Sequence, residues 1–262
     1  MMNKKLYCTF LVVLLFFSIL DTLATDFPNE IKLVSGDNYY PYADSSLPDG
    51  GWSFSIVKAV FEQLKQPYTI DVLPWKRGLL STKRNQYHGA FPYVQNSERE
   101  LDFLYSNPIN VIPVRLIVGK HSNISSIDDL LKKKFCLPKG YSFSTNIEKK
   151  LKPYHLIIVN AKGSQGCLNQ VKKGWSDVTF LNGYYNAAAI EQRYGSKEYF
   201  VILPEVIDTV TLHLIVSKTS PQAKQLITVF NQSLSELKHI GIKARIDEQY
   251  IKWLTTNKNE QL

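Results

Sequence analysis

Arg99, within Ser97-Glu98-Arg99-Glu100, offers a planar guanidinium fork that matches a carboxylate in two parallel hydrogen bonds. Its competing use is an ion pair with Glu98, Glu100 or Asp102, all close in sequence. Pro74-Trp75-Lys76-Arg77 sets an indole and a second guanidinium at a helix start, where an aromatic face can pack on a ligand stem or attract a cation. For Trp75 the bland alternative is core packing, and for Arg77 a solvated charge among Lys76, Lys83 and Arg84. Gly140-Tyr141-Ser142-Phe143 reads as a glycine loop entering a helix, whose free N–H groups could meet an anionic ligand end. Ser142 could equally be that helix's N-cap. A catalytic constellation is missing. No Gly-x-Ser-x-Gly elbow occurs, and the five histidines are scattered without a His-x-x-x-His pair, so neither a metal site nor a cofactor is expected.

The chain that must position these groups has 262 residues, 44% of them hydrophobic, which is globular composition. Its 31 Lys+Arg against 23 Asp+Glu give +8, a balance that first suggests nucleic acid. The basic residues are not interleaved with aromatics as a stacking groove, and no nucleic-acid motif appears, so that class is set aside. The start reads as a secretory signal over 1–24: Lys4 and Lys5, an apolar run over 10–20, then Thr22-Leu23-Ala24 as the cleavage site. That run is too short to span a bilayer, so no lasting membrane insertion is expected, and Cys8 leaves with the leader. Export allows disulfides. The two remaining cysteines, Cys136 and Cys167, are expected to pair, the alternative being two small buried thiols.

Strand and helix patterns alternate. Strands are expected at 31–34, 68–73, 89–91 (ending at Pro92), 114–118, 135–137, 156–159, 178–181, 200–203 and 211–216. Val57, Val60, Phe61 and Leu64 stripe one helix. Further helices are expected from Pro74, over 142–151, 165–173 and 184–193, and in two closing segments over 221–239 and 243–254. Ser126 and Asp129 resemble a capping box before a short helix. The fold class is therefore α/β, with too many elements for one small sheet and enough for two similar lobes. Ligands of such folds sit beyond the carboxyl ends of the strands, here in a cleft between lobes.

In order along the chain, Tyr39-Tyr40-Pro41-Tyr42, Gly50-Gly51, Leu73-Pro74-Trp75-Lys76-Arg77, Ser97-Glu98-Arg99, Phe103-Leu104-Tyr105-Ser106-Asn107-Pro108, Lys173-Gly174-Trp175-Ser176-Asp177 and Phe230-Asn231-Gln232-Ser233-Leu234 resemble the bacterial extracellular solute-binding proteins of family 3. Each motif alone is weak; their ordered series covers nearly the whole exported chain. The resemblance implies a two-lobed periplasmic-binding-protein-like fold of type II. Lobe one would be 25–112 plus 213–262 and lobe two 113–212, joined by hinge strands near 109–113 and 209–213. The positive excess would lie on lobe two, in lysine clusters at 132–134, 149–152 and 172–173 that read as solvated helix ends.

By resemblance, Arg99 holds a ligand's α-carboxylate, Tyr39 covers the ligand with Tyr42 as its packing neighbour, and Ser142, beside Tyr141, closes from lobe two. Asn182 falls where many relatives carry the Asp that pairs with the ligand's α-amine. A neutral amide gives no charge-assisted bond there. Phe91-Pro92-Tyr93-Val94 also departs from relatives with hydroxyl side chains upstream of the Arg. Glu205 and Asp208 are candidate substitutes for the missing negative charge. The expected function is periplasmic capture of a small polar or carboxylate-bearing, amino-acid-like solute by a monomer, for delivery to an ABC transporter permease. The alternatives are a secreted dehydratase of the cyclohexadienyl type and a ligand-sensing partner of a membrane receptor.

Overall fold

A computed structural model of the chain describes residues 27–182 and 197–255. The leader over 1–24, the helix expected over 184–193 and the side chain of Asn182 lie outside the described residues. Nine strands form one mixed sheet: β1 (Ile31–Ser35), β2 (Tyr68–Val72), β3 (Gly89–Val94), β4 (Phe103–Tyr105), β5 (Asn110–Gly119), β6 (Lys134–Pro138), β7 (Ile157–Ala161), β8 (Val178–Asn182) and β9 (Phe200–Ser217). Helices α1 (Trp52–Gln63), α2 (Trp75–Lys83), α3 (Ser97–Glu100), α4 (Thr145–Leu151), α5 (Gly163–Lys172), α6 (Ala223–His239) and α7 (Ile242–Thr255) flank it. The order is β2-β1-β3-β9-β5-β8-β6-β7, with β4 on the end of β9.

Two halves repeat one plan. In one, β1 pairs in parallel with β2 and β3, and β9 runs antiparallel to β3. In the other, β6 pairs in parallel with β7 and β8, and β5 runs antiparallel to β8. β5 and β9 join the halves as an antiparallel pair, with Asn110 opposite Leu212 and Pro113 opposite Thr209. The segments expected as chain crossings are thus neighbours in the sheet.

Three expectations need correction. The strand at 89–91 runs on through Pro92 to Val94, because Pro92 sits at the register shift of β3 against β9, where a missing N–H breaks no regular ladder. The strands at 200–203 and 211–216 are one strand of 18 residues. Pro204 lies where the register with β5 slips between Val206 opposite Arg115 and Ile202 opposite Ile117, so the proline is absorbed as a bulge. The helix expected over 142–151 begins only at Thr145, with Ser144 as its N-cap accepting from the Ile147 N–H at 3.2 Å. The capping box of Ser126 and Asp129 does form, on a 3₁₀ turn over Ile127–Leu130.

The apolar stripe of α1 buries Val57, Val60 and Phe61 in the core, where Phe61 meets Phe230 of α6. Ser233 of α6 donates to the Val60 carbonyl at 3.0 Å, tying α6 to α1. Cys136 of β6 and Cys167 of α5 form a buried disulfide with Cα atoms 5.3 Å apart. Among the described residues, no helix is long and apolar enough to cross a membrane.

Candidate functional site

The carboxyl ends of the parallel strands all lead to one place. β1 delivers Tyr39, β3 delivers Arg99, and β6 delivers Gly140, Tyr141 and Ser142. α3 is one turn long, held by Asn96, whose Oδ1 accepts the Arg99 N–H at 2.8 Å. This cap turns the Arg99 side chain back across the end of β3. Its Nη1 donates to the Val94 carbonyl at 2.9 Å, and its Nη2 donates to Ser142 Oγ at 3.1 Å, on the other half of the sheet. The guanidinium carbon lies 5.1 Å from the Tyr93 ring centre.

Arg99 is only 8% exposed, yet it has no carboxylate partner among the described residues. Its sequence neighbours are used elsewhere: Asp102 accepts from Lys83 at 2.6 Å, and Glu100 from Gln95 at 2.7 Å. Burial pulls the guanidinium below its usual pKa, opposed by the fields of Tyr105, Tyr93 and Glu98. Burial also pushes the Tyr93 phenol up, and that of Tyr105 to about 12, so both stay neutral at physiological pH. A desolvated cation without an anion is costly, and a bound carboxylate would offset that cost.

The wall opposite is aromatic. Tyr39 lies with ring centres 4.8 Å from Tyr141, 5.3 Å from Tyr42 and 6.0 Å from Trp75. Burial raises the Tyr39 phenol, keeping it neutral. Trp75 is fixed at both ends: its Nε1 donates to the Asp37 carbonyl at 3.0 Å, and its own carbonyl accepts the Tyr93 hydroxyl at 2.9 Å. The Tyr39 loop is fastened to α1, since Trp52 and Ser53 N–H groups donate to the Pro41 and Tyr42 carbonyls at 2.8 and 3.0 Å. That close approach explains Gly51, with φ +111° and room for no Cβ: one there would fall 2.8 Å from the Pro41 carbonyl oxygen.

Tyr39, Trp75, Tyr93, Arg99, Tyr141 and Ser142 converge on a cavity of about 30 Å³ between the two halves. A larger one of about 100 Å³ adjoins it, sharing Tyr39, Val94, Tyr141 and Ser142 and running on to Phe143 and Phe180. Of the residues named from sequence, Arg77 is not brought in. It points to solvent from α2, because the helix turns its Gly78 and Thr82 side inward. Ser142 does not cap a helix; Ser144 does, which leaves the Ser142 hydroxyl to Arg99. Asn182 ends β8 opposite Val114, with its side chain outside the described residues. Glu205 is exposed, and Asp208 accepts from the Thr209 N–H at 2.8 Å; neither lines the two cavities. Sequence reasoning missed Asn96, Phe143 and Phe180. Asn96 was readable as an N-cap two residues before a Glu, whereas Phe180 looked like ordinary strand core.

The family model for bacterial extracellular solute-binding proteins, family 3, matches residues 31–253. No curated protein sequence matches the chain. Among solved structures, it is similar to an amino acid ABC transporter substrate-binding protein from Streptococcus pneumoniae bound to L-arginine, with 18% identity, TM-score 0.69, and 87% of this chain and 97% of that one covered. It is also similar to the ligand-binding core of a GluR0 protein from Nostoc punctiforme in complex with L-glutamate, with 20% identity, TM-score 0.68, and coverage of 83% and 98%. A third is an ancestral amino-acid-binding protein described as a precursor of cyclohexadienyl dehydratase, with 16% identity, TM-score 0.66, and coverage of 86% and 96%. These likenesses carry the two-lobed type II fold. With the family match spanning both repeated halves and both closing helices, the chain belongs to the bacterial extracellular solute-binding proteins of family 3.

Proposed function

We propose that this solute-binding protein works in the periplasm, where it captures a small carboxylate-bearing solute of amino-acid size between its lobes and presents it to an ABC transporter permease. The observation that carries the reading is Arg99: a buried guanidinium, free of any acidic partner among the described residues, touching Ser142 from the other lobe. A carboxylate on that fork would engage both lobes at once, and a ligand held by both favours the closed arrangement by its differential affinity. The hinge assigned to this motion is the β5–β9 pair near 109–113 and 209–213, with lobe two between those crossings. Ligands named for the similar structures, L-arginine and L-glutamate, both carry an α-carboxylate. Residues 1–24 supply the export signal, cleaved after Ala24.

Binding without turnover is the favoured reading. Dehydratase chemistry needs an acid placed at the ligand, so formation of an aromatic product from prephenate or arogenate would overturn this reading. A thermal-shift screen of small acids against their primary amides tests the proposal. A carboxylate at 100 times its Kd should add about 2.7 kcal/mol of stability. Its amide should add almost nothing. An amide that stabilises as well as its acid would overturn the assignment.

A further inference from the structure

Arg99 is the one charged side chain among the described residues lining the two cleft cavities. Beyond the partition of Tyr39, Val94, Tyr141 and Ser142, the larger cavity is walled by Leu137, Phe143, Ile147, Leu168 and Phe180. Phe143 and Phe180 pack edge to face at 5.3 Å, each also against Phe135, so this wall is a rigid aromatic corner. Its polar atoms are largely committed. Thr179 donates to the Cys136 carbonyl at 2.7 Å, Ser144 caps α4, and Ser142 accepts from Arg99. The nearby carboxylates line neither cavity: Asp208 stands opposite Val114 on β9, with Oδ1 accepting from the Thr209 N–H at 2.8 Å, Asp37 lies beyond Trp75 and Tyr141, where it accepts from Ser45 at 2.8 and 3.0 Å, and Glu98 and Glu148 line the opposite flank.

A cationic ligand group placed in such a cavity would lose its hydration without a carboxylate among the described residues lining it. An apolar group loses nothing polar and gains contact with rings on several sides. At about 100 Å³ the cavity is of the order of a phenyl or branched alkyl group. Resting on the carboxylate reading above, we infer that the solute is a monocarboxylate with an aromatic or branched aliphatic body and no cationic group. Its carboxylate meets Arg99, and its body fills the cavity bounded by Phe143, Leu168 and Phe180.

The test titrates the protein calorimetrically with 3-phenylpropanoate and 4-methylpentanoate, with L-phenylalanine and L-leucine as their α-amino counterparts, and with L-arginine and L-glutamate. At least one des-amino acid should bind no more weakly than its amino counterpart and at least 100-fold more tightly than L-arginine. Tighter binding of L-arginine or L-glutamate, an amino acid more than tenfold tighter than its des-amino partner, or no binding of either des-amino acid overturns the inference. Arg99→Ala separates it from the reading beneath. If L-arginine or L-glutamate binds and needs Arg99, the apolar-body inference falls while the carboxylate clamp stands; if binding is indifferent to Arg99, the clamp falls. Ser164 also lines the larger cavity. Ser164→Asp, with folding checked by circular dichroism, should weaken the des-amino acid at least tenfold. Unchanged affinities would mean that the ligand's body does not occupy this cavity.

Discussion

Gly36 makes the sharpest structural prediction. Its φ lies outside the left-handed region, so alanine is acceptable to the backbone there. Sterically it is not: an added Cβ would fall 2.1 Å from Cδ2 and Cε2 of Trp75. Carbon atoms rest about 3.5–4.0 Å apart, so the indole must retreat by about 1.4 Å or more. It cannot do so freely, because its Nε1 is held by the Asp37 carbonyl and its ring packs at near right angles against Tyr39 and Tyr93. Overpacking of this kind costs about 1–3 kcal/mol, and the lost hydrogen bond about 1 more. Gly36→Ala should therefore destabilise by about 2–4 kcal/mol in urea unfolding, or roughly 4–16 °C in Tm. A double-mutant cycle identifies the cause. In a Trp75→Ala background the clash has no partner, so Gly36→Ala should be nearly neutral, with a coupling above about 1 kcal/mol. Equal losses in both backgrounds, or a loss below about 0.5 kcal/mol in the wild type, would refute the packing argument.

Three other expectations concern stability. Ser144→Ala removes the N-cap of α4 and should cost about 1 kcal/mol in urea unfolding; an unchanged midpoint would mean that Ser144 does not cap the helix. Replacing Cys136 and Cys167 by alanine opens a loop of sequence separation 31 and should cost about 3–4 kcal/mol, while an unchanged Tm would mean that the bridge is not formed in the isolated protein. His213, buried on β9 between the Ser106 carbonyl at 2.7 Å and Thr211 Oγ1 at 2.6 Å, has its pKa lowered by desolvation, against a smaller opposing effect of Ser106. It stays neutral in the fold while the unfolded chain takes up a proton near pH 6.5, so its contribution is complete above that pH and is lost as the pH falls. His213→Gln should flatten the stability profile between about pH 5 and 7, leaving the part due to His88, also lowered by burial and by Lys32; an unaltered slope counts against this assignment.

Much of this architecture was legible from periodicity. The stripe of Val57, Val60, Phe61 and Leu64 marks α1, and the alternating β/α pattern points to two similar lobes, because both signals report which side of an element meets the core. What periodicity could not supply was long-range register. The single strand β9 looked like two because Pro204 lacks an N–H, and only its pairing with β5 shows a bulge to absorb it. At the site, Arg99 and Trp75 stood out by chemistry, and the structure brings both to the cleft. Arg77 stood out equally and is exposed, since the phase of α2 depends on Gly78 and Thr82 packing inward. Phe143 and Phe180 were invisible as site residues: an apolar side chain in a loop or in the middle of a strand reads as core until a cavity is found beside it.

Arg99 is a buried cation at the junction of the two halves, and the proposed solute puts its carboxylate there. The most direct measurement is calorimetric titration of a carboxylate solute that stabilises the wild type into Arg99→Ala, with the urea midpoint of the variant taken alongside. Affinity should fall at least 100-fold, about 2.7 kcal/mol, in a variant that remains folded. Binding that survives within tenfold, about 1.4 kcal/mol, would contradict this placement and move the carboxylate to another part of the cleft.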